Sequence, residues 1–180
     1  KDLVLNYKKL NIKLIRNKVN LGPSYSRNIG VDSLDPSIEY IAFLDSDDSW
    51  HSSKLRICSN IIKFNTNTSL FFHPYSHKKY EIRSSIDDLL FNNIDVFKTF
   101  ISNPMQTSCL IVRRSDFLYF NVKQNYCEDY YLLLSYLSLK KSIIFISDTF
   151  TLLSRPQKSR GGLSFSRFRM RVGEINSYFN

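Results

Sequence analysis

Along the chain, some segments have the apolar pattern of a strand and others have apolar residues at helical spacing. The two kinds of segment follow one another, which predicts short strands interleaved with helices. Runs rich in β-branched and aromatic residues predict strands at residues 12–16, 40–44, 69–72, 108–113, 142–146 and 149–153. Apolar residues at helical spacing predict helices at 24–34, 53–64, 87–101 and 128–139. This alternation predicts an α/β domain, in which helices flank a mostly parallel central sheet.

The strand at 40–44 ends in three closely spaced carboxylates, Asp45, Asp47 and Asp48. In an open α/β sheet ligands bind at the carboxyl ends of the strands, so these acids are well placed for chemistry. Carboxylates this close repel one another, and a hard divalent cation relieves that repulsion. An ordinary turn or helix cap is the alternative. A calcium loop of the EF-hand type is excluded, because Trp50 and Arg56 stand where it requires glycine and glutamate.

A glycine turn lies upstream, between the strand predicted at 12–16 and the helix predicted from Ser24. A strand, a turn at Gly22 and a helix start make a place where backbone N–H groups can meet an anion. Arg27 lies one turn into that helix, and its planar guanidinium could bind a diphosphate through two hydrogen bonds. The alternative is an ordinary strand-to-helix loop with a solvated arginine.

Four blocks follow one another in a specific order along the chain. They are Asn-x-Gly-x-x-x-x-Arg-Asn-x-Gly at 20–30, Tyr-Ile-Ala-Phe-Leu-Asp-Ser-Asp-Asp-Ser-Trp at 40–50 with Lys-Leu at 54–55, Ser-Cys-Leu-Ile-Val-Arg-Arg at 108–114, and Glu-Asp at 128–129. Together they resemble family 2 of the inverting glycosyltransferases, over residues 12–154. The resemblance implies a GT-A-like α/β fold and the transfer of a sugar from a nucleotide-sugar donor.

The resemblance also implies roles for individual residues. Asp129, beside Glu128, would be the catalytic base, and Asp47, with help from Asp45, would hold Mn²⁺ or Mg²⁺. The donor, expected to be a UDP-sugar, would contact residues of the first two blocks and of a basic loop after the last strand: Asn20, Gly22, Arg27, Asn28, Asp45, Arg155 and Lys158. A plain linker is the alternative for that loop. A glycan or lipid-linked hydroxyl of bacterial surface polysaccharide or lipopolysaccharide is the expected acceptor.

The chain departs from the family pattern at its beginning. Family members open with an apolar strand, a helix and a second strand whose Asp-rich loop recognises the nucleotide base, whereas residues 1–10 look like the helix after that loop. We therefore expect that an N-terminal segment is missing. A catalytically incompetent remnant or non-catalytic subunit is one alternative. A nucleotidyltransferase, which would release pyrophosphate, is another, although it usually needs a glycine-rich loop with a catalytic lysine.

Composition and charge limit the classes of binding partner that we expect. A length of 180 residues suits a core at 1–154 followed by a basic loop and a C-terminal helix at 155–180. The net charge of +9 suits a diphosphate donor or an anionic membrane, and nucleic acid is not expected, because no zinc-finger or RNP-like pattern accompanies it. Arginines interleave with apolar residues at 164–172, which predicts either contact with the inner membrane surface or packing on the domain. Three widely spaced cysteines predict reduced thiols in the cytoplasm.

Overall fold

The computed structural model describes residues 11–82, 91–92, 103–124, 126–154 and 167–179 of the chain. The helices in these ranges are α1 (Gly22–Asp32), α2 (Lys54–Phe64), α3 (Glu128–Ser138) and α4 (Arg167–Phe179). The strands are β1 (Tyr40–Ala42), β2 (Ser49–Trp50), β3 (Leu70–Phe72), β4 (Tyr75–Ser76), β5 (Phe91–Asn92), β6 (Leu110–Arg113), β7 (Ile143–Ile146) and β8 (Thr151–Leu152).

The central sheet has the strand order β1-β6-β3-β7-β5, and a smaller sheet has the order β2-β8-β4. In the central sheet β6 pairs antiparallel with both β1 and β3, β5 pairs antiparallel with β7, and only β3 and β7 pair in parallel. The predicted α/β class is confirmed, but the prediction of a mostly parallel sheet is wrong for the described residues. The strands β1, β3 and β7 do run in one direction. Because β6 inserts in the reverse direction between β1 and β3, direct parallel pairing is lost there.

Both faces of the central sheet are covered by helices. On one face, Leu70 and Phe72 of β3 pack in a cluster with buried residues of α1 and α3, among them Val31 and Leu133. On the other face, Phe71 packs with the buried face of α2 at Ile57, Cys58 and Ile61. Burial of all three residues of β3 explains why its sequence is a continuous apolar run rather than an alternation.

Two predicted elements differ from the structure. Residues 12–16 alternate like a strand but form no regular structure, and Ile12, Leu14 and Ile15 are exposed. Alternation favours a strand only when one face is buried and a neighbour supplies hydrogen bonds. Residues 12–16 are exposed and pair with no strand in the described part of the chain. In place of the helix predicted at 87–101, residues 91–92 form β5 and pair with β7. The rest of that predicted helix lies outside the described residues.

The C-terminal helix α4 packs beside the beginning of α3. The Gln124 side chain donates to the Gly173 carbonyl (3.2 Å) and to the Ser177 hydroxyl (2.7 Å), and the Tyr130 and Tyr178 hydroxyls are 2.7 Å apart. The opposite side of α4 is open, since Phe168 is 78% exposed. None of the helices in the described part of the chain combines the length and apolar character that a bilayer crossing requires.

Candidate active site

The three carboxylates form a turn directly after β1. The Asp48 N–H donates to the Asp45 carbonyl (3.1 Å), which closes the turn at residues 45–48. Phe43, just before it, is buried and anchors the turn in the core beside Phe120, with ring centroids 5.4 Å apart. Asp47 is exposed, whereas Asp45 and Asp48 are half-buried. We call residues 45–48 the acid turn; it presents carboxylate oxygens at the carboxyl end of β1, as the sequence predicted.

Ser108 holds the acid turn at both ends. Its hydroxyl accepts a hydrogen bond from the Asp45 N–H (3.0 Å) and donates one to Asp48 Oδ2 (2.5 Å). The Ser154 N–H approaches Asp48 Oδ1 (3.4 Å). Burial raises the pKa of Asp48, and the hydrogen bonds from Ser108 and Ser154 oppose that rise. The motif at 108–114 includes Ser108, but nothing in the sequence indicates this role, because its partners lie about sixty positions upstream.

Glu128 and Asp129 open α3, whose positive end favours carboxylates. The residue before them, Cys127, has a left-handed backbone with φ of 57°, an uncommon conformation for a non-glycine residue. Asp129 is buried, and its Oδ1 accepts hydrogen bonds from the Asn103 amide (3.1 Å) and the Tyr130 N–H (2.8 Å). Burial, followed by the nearby charge of Glu128, raises the pKa of Asp129 to about 7. A carboxylate in this environment can accept a proton near neutral pH.

Arg27 joins the acid turn to the start of α3. Its Nη2 donates to Asp45 Oδ1 (2.8 Å) and its Nη1 donates to Glu128 Oε1 (2.7 Å). The guanidinium lies over the Phe120 ring, 5.3 Å from the centroid, and the side chain is 13% exposed. The sequence analysis predicted that Arg27 binds a diphosphate. In the structure its fork lies between two carboxylates, which use two of its five N–H donors. A phosphate contact by Arg27 stays a prediction.

The other residues predicted to contact the donor stabilise the backbone around Arg27. Gly22 has φ of +79°, which favours glycine, and its N–H donates to Asn20 Oδ1 (3.0 Å). The Asn28 amide makes two hydrogen bonds with the Phe120 backbone, accepting from its N–H (3.0 Å) and donating to its carbonyl (2.9 Å). Donor contacts by Asn20, Gly22 and Asn28 stay predictions. Those of Arg155 and Lys158 lie outside the described residues.

The acid turn has the chemistry of a hard-cation site, although its carboxylates do not converge. Within the described ranges no three histidine, cysteine or acidic side chains come together as a metal-binding cluster. One oxygen of Asp45 is used by Arg27, and Asp48 is bonded to Ser108. Mg²⁺ commonly takes only one or two protein carboxylates and completes its shell with water and substrate phosphates. Cation binding by Asp47 and Asp45 stays a prediction.

Comparisons with known proteins agree with this architecture. Two crystal structures of S. aureus TarS residues 1–349, one of them in complex with UDP-GlcNAc, match with TM-scores of 0.66 and 0.65 at 18% identity. Each match covers 99% of this chain but only 52% and 54% of the TarS chains, so the chain spans about half their length. At this identity the similarity establishes the GT-A-like fold. A comparison with curated protein sequences yields no match. The family model described as Glycosyl transferase family 2 matches residues 1–120, well over half of the sequence, and the chain therefore belongs to that family.

Proposed function

We propose that the chain transfers a sugar, with inversion, from a UDP-sugar to a hydroxyl of a glycan or lipid-linked acceptor. The observation that carries the proposal is the Arg27 bridge. It brings the acid turn and the start of α3 to one end of the sheet, with contacts of 2.8 Å to Asp45 and 2.7 Å to Glu128. Family membership supports sugar transfer, and the TarS complex with UDP-GlcNAc supports a uridine diphosphate donor.

The acid turn would receive the diphosphate. In this proposal Asp47 and Asp45 hold Mn²⁺ or Mg²⁺. A bound divalent cation offsets the negative charge that grows on a departing diphosphate. Asp48 keeps the turn closed through Ser108, so the carboxylates that meet the cation are already in place before the donor binds.

Asp129 would take the proton from the attacking hydroxyl. In a single displacement the acceptor oxygen attacks the anomeric carbon from the face opposite the diphosphate, and its proton must leave as the new bond forms. The two hydrogen bonds that described residues give to Asp129 both fall on Oδ1, so Oδ2 is the proton acceptor in this proposal. A pKa of about 7 makes Asp129 a stronger base than an ordinary carboxylate while leaving it largely ionised in mildly alkaline solution.

The proposal names the acceptor only by its chemical class. A bacterial surface polysaccharide or lipopolysaccharide intermediate would suit a family 2 enzyme, and a lipid-linked intermediate would be met at the inner membrane surface. The open side of α4, with the exposed Phe168, supports such a peripheral contact.

The test is calorimetric titration of UDP into the wild-type chain and the Asp47→Asn variant, with and without Mn²⁺. We expect Mn²⁺-dependent binding by the wild type, and an affinity at least about tenfold weaker in the variant. Asp35→Asn is the matched control, because Asp35 is an exposed aspartate before β1, at the end of the strand away from the acid turn. It should bind UDP like the wild type.

Three results would count against the proposal. Equal UDP binding by wild type and Asp47→Asn would remove the metal assignment. A folded chain that binds no UDP would count against the donor site proposed for this chain and would be compatible with the non-catalytic alternative. Release of pyrophosphate from a nucleoside triphosphate and a sugar 1-phosphate, in place of UDP release from a nucleotide-sugar, would identify a nucleotidyltransferase.

A further inference from the structure

The Ser108 carbonyl accepts hydrogen bonds from three different elements. Its donors are Trp50 Nε1 of β2 (2.8 Å), Lys54 Nζ of α2 (2.8 Å) and Thr151 Oγ1 of β8 (3.0 Å). A carbonyl oxygen has two lone pairs, so three donors use its full accepting capacity. We call Trp50, Lys54, Thr151 and Ser108 the Ser108 hub.

The Ser108 hub is continuous with the acid turn. The carbonyl of Ser108 faces the three donors, while its hydroxyl holds the Asp45 N–H and Asp48 Oδ2. Any shift of the Ser108 backbone therefore displaces both ends of the acid turn. Ser108 is 1% exposed, so water does not compete for these bonds.

Lys54 is the unusual member of the hub. It is 0% exposed, and among the described residues no carboxylate lies within ion-pairing distance of it. Its Nζ lies 3.9 Å from the centroid of the Trp50 ring, a cation–π contact, and burial lowers its pKa to about 8. Burying an ammonium without an ion pair is costly, and an apolar side chain of similar length would avoid that cost. Packing alone therefore does not account for a lysine here.

We propose that Lys54 is a positioning residue for the acid turn, which it orders by holding the Ser108 carbonyl. Lys54 touches neither donor nor cation. It sets the orientation of the Ser108 hydroxyl, and through that hydroxyl the spacing of Asp45 and Asp48. This inference rests on the proposed function only for its consequence, which is a higher affinity of the acid turn for a cation–diphosphate pair. The positioning itself is a property of the chain without ligands.

The first test needs no donor. Hydrogen exchange of the Asp45 amide, measured by NMR on the ligand-free chain, reports the bond from that N–H to the Ser108 hydroxyl. We expect Lys54→Met to accelerate this exchange by about tenfold, because a loss of about 1.4 kcal/mol in local stability corresponds to that factor. Ile57→Val is the control, since Ile57 is buried on the same helix and packs in the cluster that contains Phe71 of the central sheet. It should leave the Asp45 exchange rate unchanged relative to its neighbours.

The second test measures the consequence. Lys54→Met and Ser108→Ala should each weaken Mn²⁺-dependent UDP binding by about tenfold, the range found when groups that orient metal ligands are removed. The double variant should be no weaker than the single variants, because both act through one path. Rates of Asp45 exchange that are equal in Lys54→Met and wild type would overturn the proposal, as would additive losses of affinity. Faster exchange in a chain whose wild type binds no UDP would support the positioning role and reject the proposed function.

Discussion

The acid turn and the start of α3 carry the same functional groups in opposite environments. Asp47 is exposed and Asp45 is half-buried with 41% of its side chain exposed, whereas the Glu128 side chain is 12% exposed and Asp129 is 9% exposed. Exposure leaves the acid turn accessible to a cation and a diphosphate. Burial beside Glu128 raises the pKa of Asp129 to about 7 and suits it to proton transfer. In the proposed function, tertiary environment would thus give two tasks to carboxylates of the same chemistry.

Arg27 keeps the two clusters from being independent. Its two ion pairs tie Asp45 to Glu128 across a gap of more than eighty residues in sequence. A cation bound by Asp45 would share that carboxylate with Arg27. Substitutions can therefore disrupt the acid turn, the start of α3 or the Arg27 contacts that join them.

The largest effect is expected at the buried cluster. Asp129→Asn keeps the shape of the side chain but removes its ability to accept a proton, so transfer should fall by about a hundredfold to ten-thousandfold. UDP affinity should remain within about twofold of wild type, because the acid turn is untouched. Turnover is followed by UDP release and affinity by calorimetry. If Asp129→Asn lost UDP binding along with activity, Asp129 would belong to the donor site instead.

An intermediate effect is expected at the bridge. Because Arg27 lowers the pKa of Asp129, Arg27→Gln should raise that pKa further. Asp129 must be ionised to accept a proton, so kcat/KM rises with pH through its pKa, and the midpoint of this rise should move to higher pH. The variant should also lose about 2 kcal/mol of unfolding free energy, since two charged hydrogen bonds are removed.

The matched control for the bridge is Arg113→Gln. Arg113 is the last residue of β6, at the end of the strand away from Ser108, and makes a partly buried ion pair with Asp116 (3.6 Å). Its loss should lower stability without moving the midpoint of the pH profile. A midpoint that stays in place in Arg27→Gln would mean that Arg27 does not influence the base.

The smallest effect on catalysis is expected from a substitution in α4, which packs against the residues just before Glu128 and Asp129. A Cβ at Gly173 would lie 2.7 Å from the Tyr126 carbonyl oxygen, next to the left-handed Cys127 that precedes Glu128. Gly173→Ala should therefore cost about 1–3 kcal/mol of unfolding free energy and lower kcat a few-fold, by analogy with other overpacked sites. UDP affinity should not change.

Gly30→Ala provides the contrast in α1. A Cβ there meets no atom within 4 Å, and alanine is the better helix former, so this variant should gain about 0.5–1 kcal/mol of stability. If Gly173→Ala lowered UDP affinity and kcat equally, α4 would support the acid turn as well as Glu128 and Asp129.

Local chemistry was predictable to a useful degree. The acid turn follows β1 where the end of the apolar run placed it, and α2 and α3 begin within a residue of their predicted starts. Residues 12–16 and 91–92 were predicted wrongly because pairing and burial, which periodicity does not report, decided their conformation. Ser108 escaped prediction because its hydroxyl acts across the fold on Asp45 and Asp48.

The sequence by itself determined which groups are present and where α2 and α3 begin, because helical spacing and turn residues act over a few positions. It also carried the order of motifs that places the chain in glycosyl transferase family 2. Only the tertiary structure decided that β6 runs against its neighbours, that Lys54 is buried beneath Ser108, and that Arg27 joins two carboxylates. These contacts join residues between 18 and 101 positions apart, and their strength depends on the burial that the folded core creates.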